Sequence, residues 1–163
     1  IFRYYRLFFS LSAGLTLLPV LALAAALPDA PIYTIPSPWV FLTLAVQIAA
    51  GICFLLALTQ TGTSDFLGVG VLFRSAQADQ PQRLAAGGFY RWVRHPLYFF
   101  GLVILWLTPL LSWNLLAINL GGTIYILAGA WLEERKLLVE FGEAYAAYRG
   151  RTPFIIPWPK TGK

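Results

Sequence analysis

Four stretches without a charged side chain fix what this chain can become: Leu7–Leu27, Pro38–Leu58, Pro96–Leu111 and Leu115–Leu132. A helix crosses the ~30 Å hydrocarbon layer of a bilayer with about 20 mostly apolar residues, at ~1.5 Å each. The first two runs and the last meet that length, and the third is short, at about 24 Å. The reading is an all-α integral membrane protein with four transmembrane helices. Hydrophobic residues make up 58% of the chain and charged ones 12%. Soluble domains average roughly 45–50% and about 25%, so a soluble fold is excluded.

The basic residues set the orientation. All 12 Lys and Arg fall in three segments: Arg3 and Arg6; Arg74, Arg83, Arg91 and Arg94; and Arg135, Lys136, Arg149, Arg151, Lys160 and Lys163. The connections 28–38 and 109–114 have none. With four spans, the three basic segments share one side, which the positive-inside rule makes cytoplasmic. The expected arrangement is one membrane domain over 1–163: two N-terminal spans (1–58), a cytoplasmic connection (59–95), a helical hairpin (96–132) and a cytoplasmic C-terminal helical segment (133–163). Both termini are then cytoplasmic, and the chain is a multi-pass one.

The first run, with Arg3 and Arg6 ahead of it and Ala24-Ala25-Ala26 near its end, also has the outline of a signal peptide. Its apolar part exceeds the usual ~7–15 residues, so it counts as a span. The chain has no methionine, which suggests a trimmed N-terminus. The net charge of +5 lies beside apolar spans rather than in an isolated patch, which favours anionic lipid headgroups or an anionic ligand over nucleic acid. A single cysteine, Cys53, excludes an internal disulfide or a cysteine-rich metal site, and the single histidine excludes bis-histidine haem ligation within one chain. Cys53 reads as a packing residue in a stripe with Ala45 and Ala49, and Gln47 as an interhelical hydrogen bond.

Chemistry concentrates in Gly88–Gly101, which holds that histidine, His95. A residue before proline is pushed out of the α region, while proline suits the first helical position. Pro96 therefore begins a helix, and its free N–H groups lie beside Arg94 and His95 as an anion site. Gly101 permits close approach to the helix backbone. Interfacial anchoring by Arg94 and His95 is the plainer alternative. A second constellation, Glu133-Glu134-Arg135-Lys136, continues span four. At helical spacing Glu134, Leu138, Phe141, Tyr145 and Tyr148 share one face through to the Tyr148 region. The hairpin returns these acids to the side where Arg94 and His95 lie. Ordinary ion pairs with Arg135, Lys136 or Arg94 are the alternative. The proline-broken tail 152–159 is expected to fold back on the site or the interface.

The pattern Gly88-x-Tyr90-x-x-x-Arg94-His95-Pro96-x-Tyr98-x-x-Gly101 resembles the membrane methyltransferases typified by isoprenylcysteine carboxyl methyltransferase. So do Glu133-Glu134-x-x-Leu137, Phe141-Gly142, Tyr145, Tyr148 and Arg151-x-Pro153. Phospholipid N-methyltransferases share this C-terminal design. The Asp65-Phe66-Leu67-Gly68 and Trp106-x-Thr108-Pro109 segments look most like a bacterial branch, with methanethiol S-methyltransferases and proteins of nitrite and nitric oxide reductase gene clusters. The resemblance covers roughly 62–159.

It implies S-adenosylmethionine as cofactor, bound by Tyr90, Arg94, His95, Pro96, Tyr98, Gly101, Glu133, Glu134 and Tyr145. Arg94, His95 and the helix start suit its carboxylate, Glu133 or Glu134 its amine or ribose, and a wall of Tyr or Trp its adenine. Tyr98 would face the sulfonium, and Arg149 or Arg151 would hold an anionic group of the acceptor, the three implied catalytic residues. The acceptor is a hydrophobic or lipid-like small molecule carrying a carboxylate, thiol or headgroup, reached among membrane lipids. No metal and no nucleic acid is implied. A nicotinamide-dependent membrane reductase and a non-enzymatic scaffold are the competing classes.

Overall fold

The computed structural model describes residues 15, 18–60, 84 and 86–158. Residues 18–26 are helical (α1). They are followed by a strand Pro31–Thr34 (β1), a helix Trp39–Gln60 (α2), a 3-10 turn Gly88–Arg91, a helix Pro96–Trp106 (α3), a strand Leu110–Ser112 (β2) and a long helix Trp113–Arg151 (α4). The Asp65-Phe66-Leu67-Gly68 segment and the basic residues Arg3, Arg6, Arg74, Arg83, Lys160 and Lys163 lie outside the described residues.

Among the described residues two helices, α2 and α4, are long and apolar enough to cross a membrane. Ile48, Ile52 and Leu55 of α2 and Ile124 and Tyr125 of α4 each leave more than half their surface uncovered, unlike the core helices of a soluble domain. The structure shortens the third expected span: α3 ends at Trp106, not at 111. Pro109 accounts for this, because it lacks an amide proton and drives the residue before it out of the α region. At ~1.5 Å per residue α3 is only about 16 Å long.

α3 packs mainly on α2. The α2 face turned to it runs through Gln47, Ala50, Phe54 and Ala57, which replaces the expected Ala45-Ala49-Cys53 stripe; Ala50 and Ala57 are buried and Cys53 is half-buried. Gln47 Nε2 donates to the Ile104 carbonyl at 3.0 Å and Asn119 Nδ2 of α4 donates to the Leu105 carbonyl at 2.9 Å. The last carbonyls of a helix have no partner within it, so side-chain amides from both neighbours complete the end of α3. Gly122 lets α4 approach the Leu105 side chain, whereas Gly121 and Gly129 face open space.

The two connections without basic residues meet. β1 and β2 pair antiparallel, Pro31 opposite Ser112 and Tyr33 opposite Leu111, adding a small ribbon to the expected all-α fold. Asp29 accepts from the amides of Ala30 at 2.9 Å and Asn114 at 3.1 Å. Asn114 Nδ2 donates to the carbonyls of Ala24 at 3.0 Å and Leu27 at 3.2 Å, so one side chain ties the end of α1 to the start of α4. Hydrogen bonding, first from the Ser112 hydroxyl, holds the Asp29 carboxyl below its ordinary pKa.

α4 does not run unbroken to Tyr148, as its pattern predicts. Gly142 has φ 52° and ψ −125°, a conformation reserved almost wholly for glycine, and it splits the helix. The shorter part, 143–151, carries Tyr145, Tyr148 and Arg149 back toward the start of α3.

Candidate active site

The backbone before α3 is pinned at its amides. Gly88, at φ 56°, opens the 3-10 turn, and the Phe89 carbonyl accepts from the amides of Trp92 at 3.0 Å and Val93 at 3.2 Å. The tail then supplies the next partners. Arg94 N donates to the Pro153 carbonyl at 2.9 Å and His95 N to the Phe154 carbonyl at 3.2 Å. His95 sits at φ −125°, ψ 66°, outside the helical region as the following proline requires, and its carbonyl accepts the first helical bond from Phe99 N at 3.0 Å. The Tyr148 hydroxyl donates to the Tyr90 carbonyl at 2.6 Å, locking the split part of α4 onto the turn.

On this frame the two motifs interlock. Arg94 Nη1 lies 2.6 Å from Glu134 Oε1, and each side chain is only 7% exposed. Of the pairings open to the two acids, one is therefore the Arg94 pair, and it is buried. The same Glu134 carboxylate takes a hydrogen bond from the Tyr145 hydroxyl at 3.3 Å, and lies 3.5 Å from His95 Nε2 and 3.6 Å from Arg149 Nε. Glu133 is more open, at 44% exposed. It accepts from the Tyr98 hydroxyl at 3.0 Å and stands 3.7 Å from His95 Nδ1. The His95 ring stacks on Tyr98 with centroids 5.4 Å apart and meets the edge of Phe154 at 5.1 Å. The Arg94 guanidinium lies over the Phe154 ring at 5.3 Å, a cation–π contact.

Burial lowers the His95 pKa below its ordinary value; Glu133 and Glu134 oppose this and the Arg94 charge adds to it. His95 is therefore neutral at pH 7, with one ring nitrogen a donor and the other an acceptor. Burial pushes the Tyr145 phenol up and the Tyr148 phenol up to about 12, so both stay protonated donors. Arg94 Nε and Nη1 and His95 Nε2 are buried with no aligned hydrogen-bond partner among the described residues, the Nη1 contact to Glu134 being close but off-axis. Buried donors of this kind are costly unless a ligand or water completes them. A planar guanidinium with spare N–H groups beside a helix start fits a carboxylate.

The structure brings Arg94, His95, Glu134, Tyr145 and Arg149 to one point, with Glu133 and Tyr98 joined through His95. Pro96 is buried at the helix start, and Tyr90 joins through its carbonyl. Two expected residues stand apart. A side chain at Gly101 would point at Phe54 of α2, and Arg151 Nε donates to the Ala147 carbonyl of its own helix at 3.3 Å. Phe154 and Gln60 were not singled out by the sequence reading. The fold-back expected of the aromatic tail pointed to the first, and no local pattern marks the second.

The family described as "Protein of unknown function (DUF1295)" matches residues 3–152. The chain belongs to the DUF1295 family. This DUF1295 chain is also similar to proteins named methanethiol S-methyltransferase. That of Mycobacterium tuberculosis is 41% identical over 70 residues, 43% of this chain and 29% of the relative. That of Crocosphaera subtropica is 38% identical over 78 residues, 48% and 31% of the two. In Pseudomonas sp. (strain GM41(2012)) the match is 31% identical over 131 residues, 78% and 50% of the two. The DUF1295 chain thus spans between 29% and 50% of the length of these relatives. They support the resemblance to isoprenylcysteine carboxyl methyltransferase-like membrane enzymes. No solved structure matches the DUF1295 chain.

Proposed function

We propose that this chain binds S-adenosylmethionine at the Arg94–His95–Glu133–Glu134 cluster and directs methyl transfer to a small, apolar thiol. The observation that carries the proposal is the buried Arg94, which spends one nitrogen on Glu134 while its Nε has no hydrogen-bond partner among the described residues. The names of the relatives support the thiol as acceptor. S-Adenosylmethionine supplies, when bound, a methyl group activated on a sulfonium.

The work left to the protein is positional. Arg94, His95 and the start of α3 hold a carboxylate. Glu133, fixed by Tyr98 and open on one side, offers its charge to an amine. Glu134 keeps Arg94 and Arg149 in place. The Tyr98 face tolerates a sulfonium cation, and the Phe154 tail covers His95 and keeps water away. Methyl transfer needs little more than an aligned nucleophile in a dry site. Arg149, half exposed beside Glu134, is placed to hold an anionic group of an acceptor, and Arg151 is the weaker candidate for that role.

Four spans with both termini cytoplasmic complete the reading. It rests on the split of 12 basic residues against none in the two joined connections. α3 alone, at about 16 Å, falls short of the ~30 Å hydrocarbon layer, so the third crossing needs the non-helical segment to Ser112 as well. Thr108 and Leu110 of that segment have their carbonyls occupied, by the hydroxyls of Tyr33 and Thr108 respectively. Calorimetric titration of the detergent-purified protein with S-adenosylhomocysteine and, separately, NADPH is the test. Binding of the first alone supports the proposal; binding of NADPH alone transfers the site to a reductase, and binding of neither favours a scaffold.

A further inference from the structure

The segment that carries Arg94 and His95 is held at three places. The tail fixes the amides of Arg94 and His95, and Tyr148 fixes the carbonyl of Tyr90. The third hold comes from the other half of the chain. Gln60, the last residue of α2, accepts a hydrogen bond from Phe89 N at 3.1 Å through Oε1. A Cβ on Gly88 would collide with that same side-chain amide, Nε2 of which would lie 2.8 Å away. Gly88 also has φ 56°, a backbone conformation that strains any residue with a side chain, and the Gln60 amide would have to move aside for one.

The Phe89 peptide is the pivot of the turn. Its N–H is taken by Gln60, and its carbonyl takes the amides of Trp92 and Val93. From Val93 the chain passes directly to Arg94 and His95. A shift of the Phe89 peptide is therefore carried by a hydrogen-bonded turn into the two side chains of the cluster.

We infer that Gln60 is a positioning residue of the candidate site: it sets the Gly88–Phe89 turn and, through it, the place of Arg94 and His95 against Glu134. The inference rests on the proposed cofactor site. It makes the end of α2, which lies outside the two motifs, a working part of that site. Gln60 touches no cofactor and no reacting atom; it acts through one backbone N–H.

The test measures S-adenosylhomocysteine affinity of the full chain in detergent for wild type, Gln60→Ala, Gln60→Glu and Gly88→Ala. One neutral hydrogen bond corresponds to about a three- to tenfold change. Gln60→Ala is expected to bind about three- to tenfold more weakly with a thermal midpoint lowered by no more than about 2–4 °C, and Gln60→Glu, which keeps an oxygen acceptor, to recover most of the loss. Gly88→Ala attacks the contact from the other partner and is expected to weaken binding at least as much. In a Gln60→Ala background the same glycine change should cost less, because the collision is gone. Wild-type affinity in Gln60→Ala, or equal loss in Gln60→Ala and Gln60→Glu, overturns the role of Gln60. If Gln60→Ala does not fold, wild-type affinity in Gly88→Ala overturns it. Absence of binding in the wild type fails the cofactor reading itself and this inference with it.

Discussion

Glu134→Gln probes the centre of the cluster most directly. Glutamine keeps the shape and an oxygen for the Tyr145 hydroxyl but removes the charge facing Arg94 at 2.6 Å. Both partners of that pair are 7% exposed, so the regime is that of a broken buried pair, at about 3–5 kcal/mol. The Arg149 contact adds little, since Arg149 is 50% exposed and solvent screens it to about 0–1 kcal/mol. The retained Tyr145 bond places the total near the lower limit, about 3 kcal/mol. A stability of ~5–15 kcal/mol survives that loss, so the variant folds. Reversible unfolding in mixed micelles measures it, and a parallel assay of methyl transfer to a thiol is expected to show no turnover. Arg94→Met in the same background should recover about 2 kcal/mol as coupling, because no unpaired guanidinium is left buried. A loss under about 1 kcal/mol, or additive effects of the two substitutions, would refute the buried-pair argument.

Three further outcomes follow from the geometry. Arg94→Lys keeps the charge but loses the planar fork, and S-adenosylhomocysteine binding should weaken by about 1–3 kcal/mol by calorimetry; unchanged affinity removes Arg94 from the site. Gly142→Ala places a side chain where φ is 52°, and should cost about 1–3 kcal/mol in the same unfolding assay while Gly121→Ala, in open space, costs nothing or stabilises. Because the folded His95 pKa is depressed below 6.5, the unfolded chain binds the extra proton first: stability is full above pH 6.5 and declines as pH falls below it toward the folded value. An unfolding midpoint compared at pH 7.5 and 5.5 should drop in the wild type and change less in His95→Gln.

Local rules carried part of this architecture. The helix start at Pro96 follows from proline chemistry alone, and the return of Glu134 to the side of Arg94 follows from the hairpin. Other features were beyond such rules for definite reasons. The ribbon joins residues about eighty positions apart, one partner in a proline-rich stretch that reads as loop, and the register belongs to the pairing rather than to either strand. Gly142 sits in an uninterrupted helical pattern, where glycine is commonly tolerated, and only the docking of Tyr145 and Tyr148 requires the break. The burial of the Arg94 pair needed the tail: Phe154 covers the guanidinium, and contacts of an irregular segment leave no periodic trace.

The ribbon gives the molecule an unequal pair of ends. At one, three backbone segments are stitched together by main-chain hydrogen bonds and by Asp29 and Asn114, which bridge α1, β1 and the start of α4. At the other, α3 and the far part of α4 are joined by side chains around Glu134, with a glycine joint behind them, and the tail adds two main-chain bonds, from Arg94 N and His95 N. A change of side chain at Glu134 therefore loosens the second end, while the ribbon, paired through its main chain, takes most changes of side chain without losing those bonds.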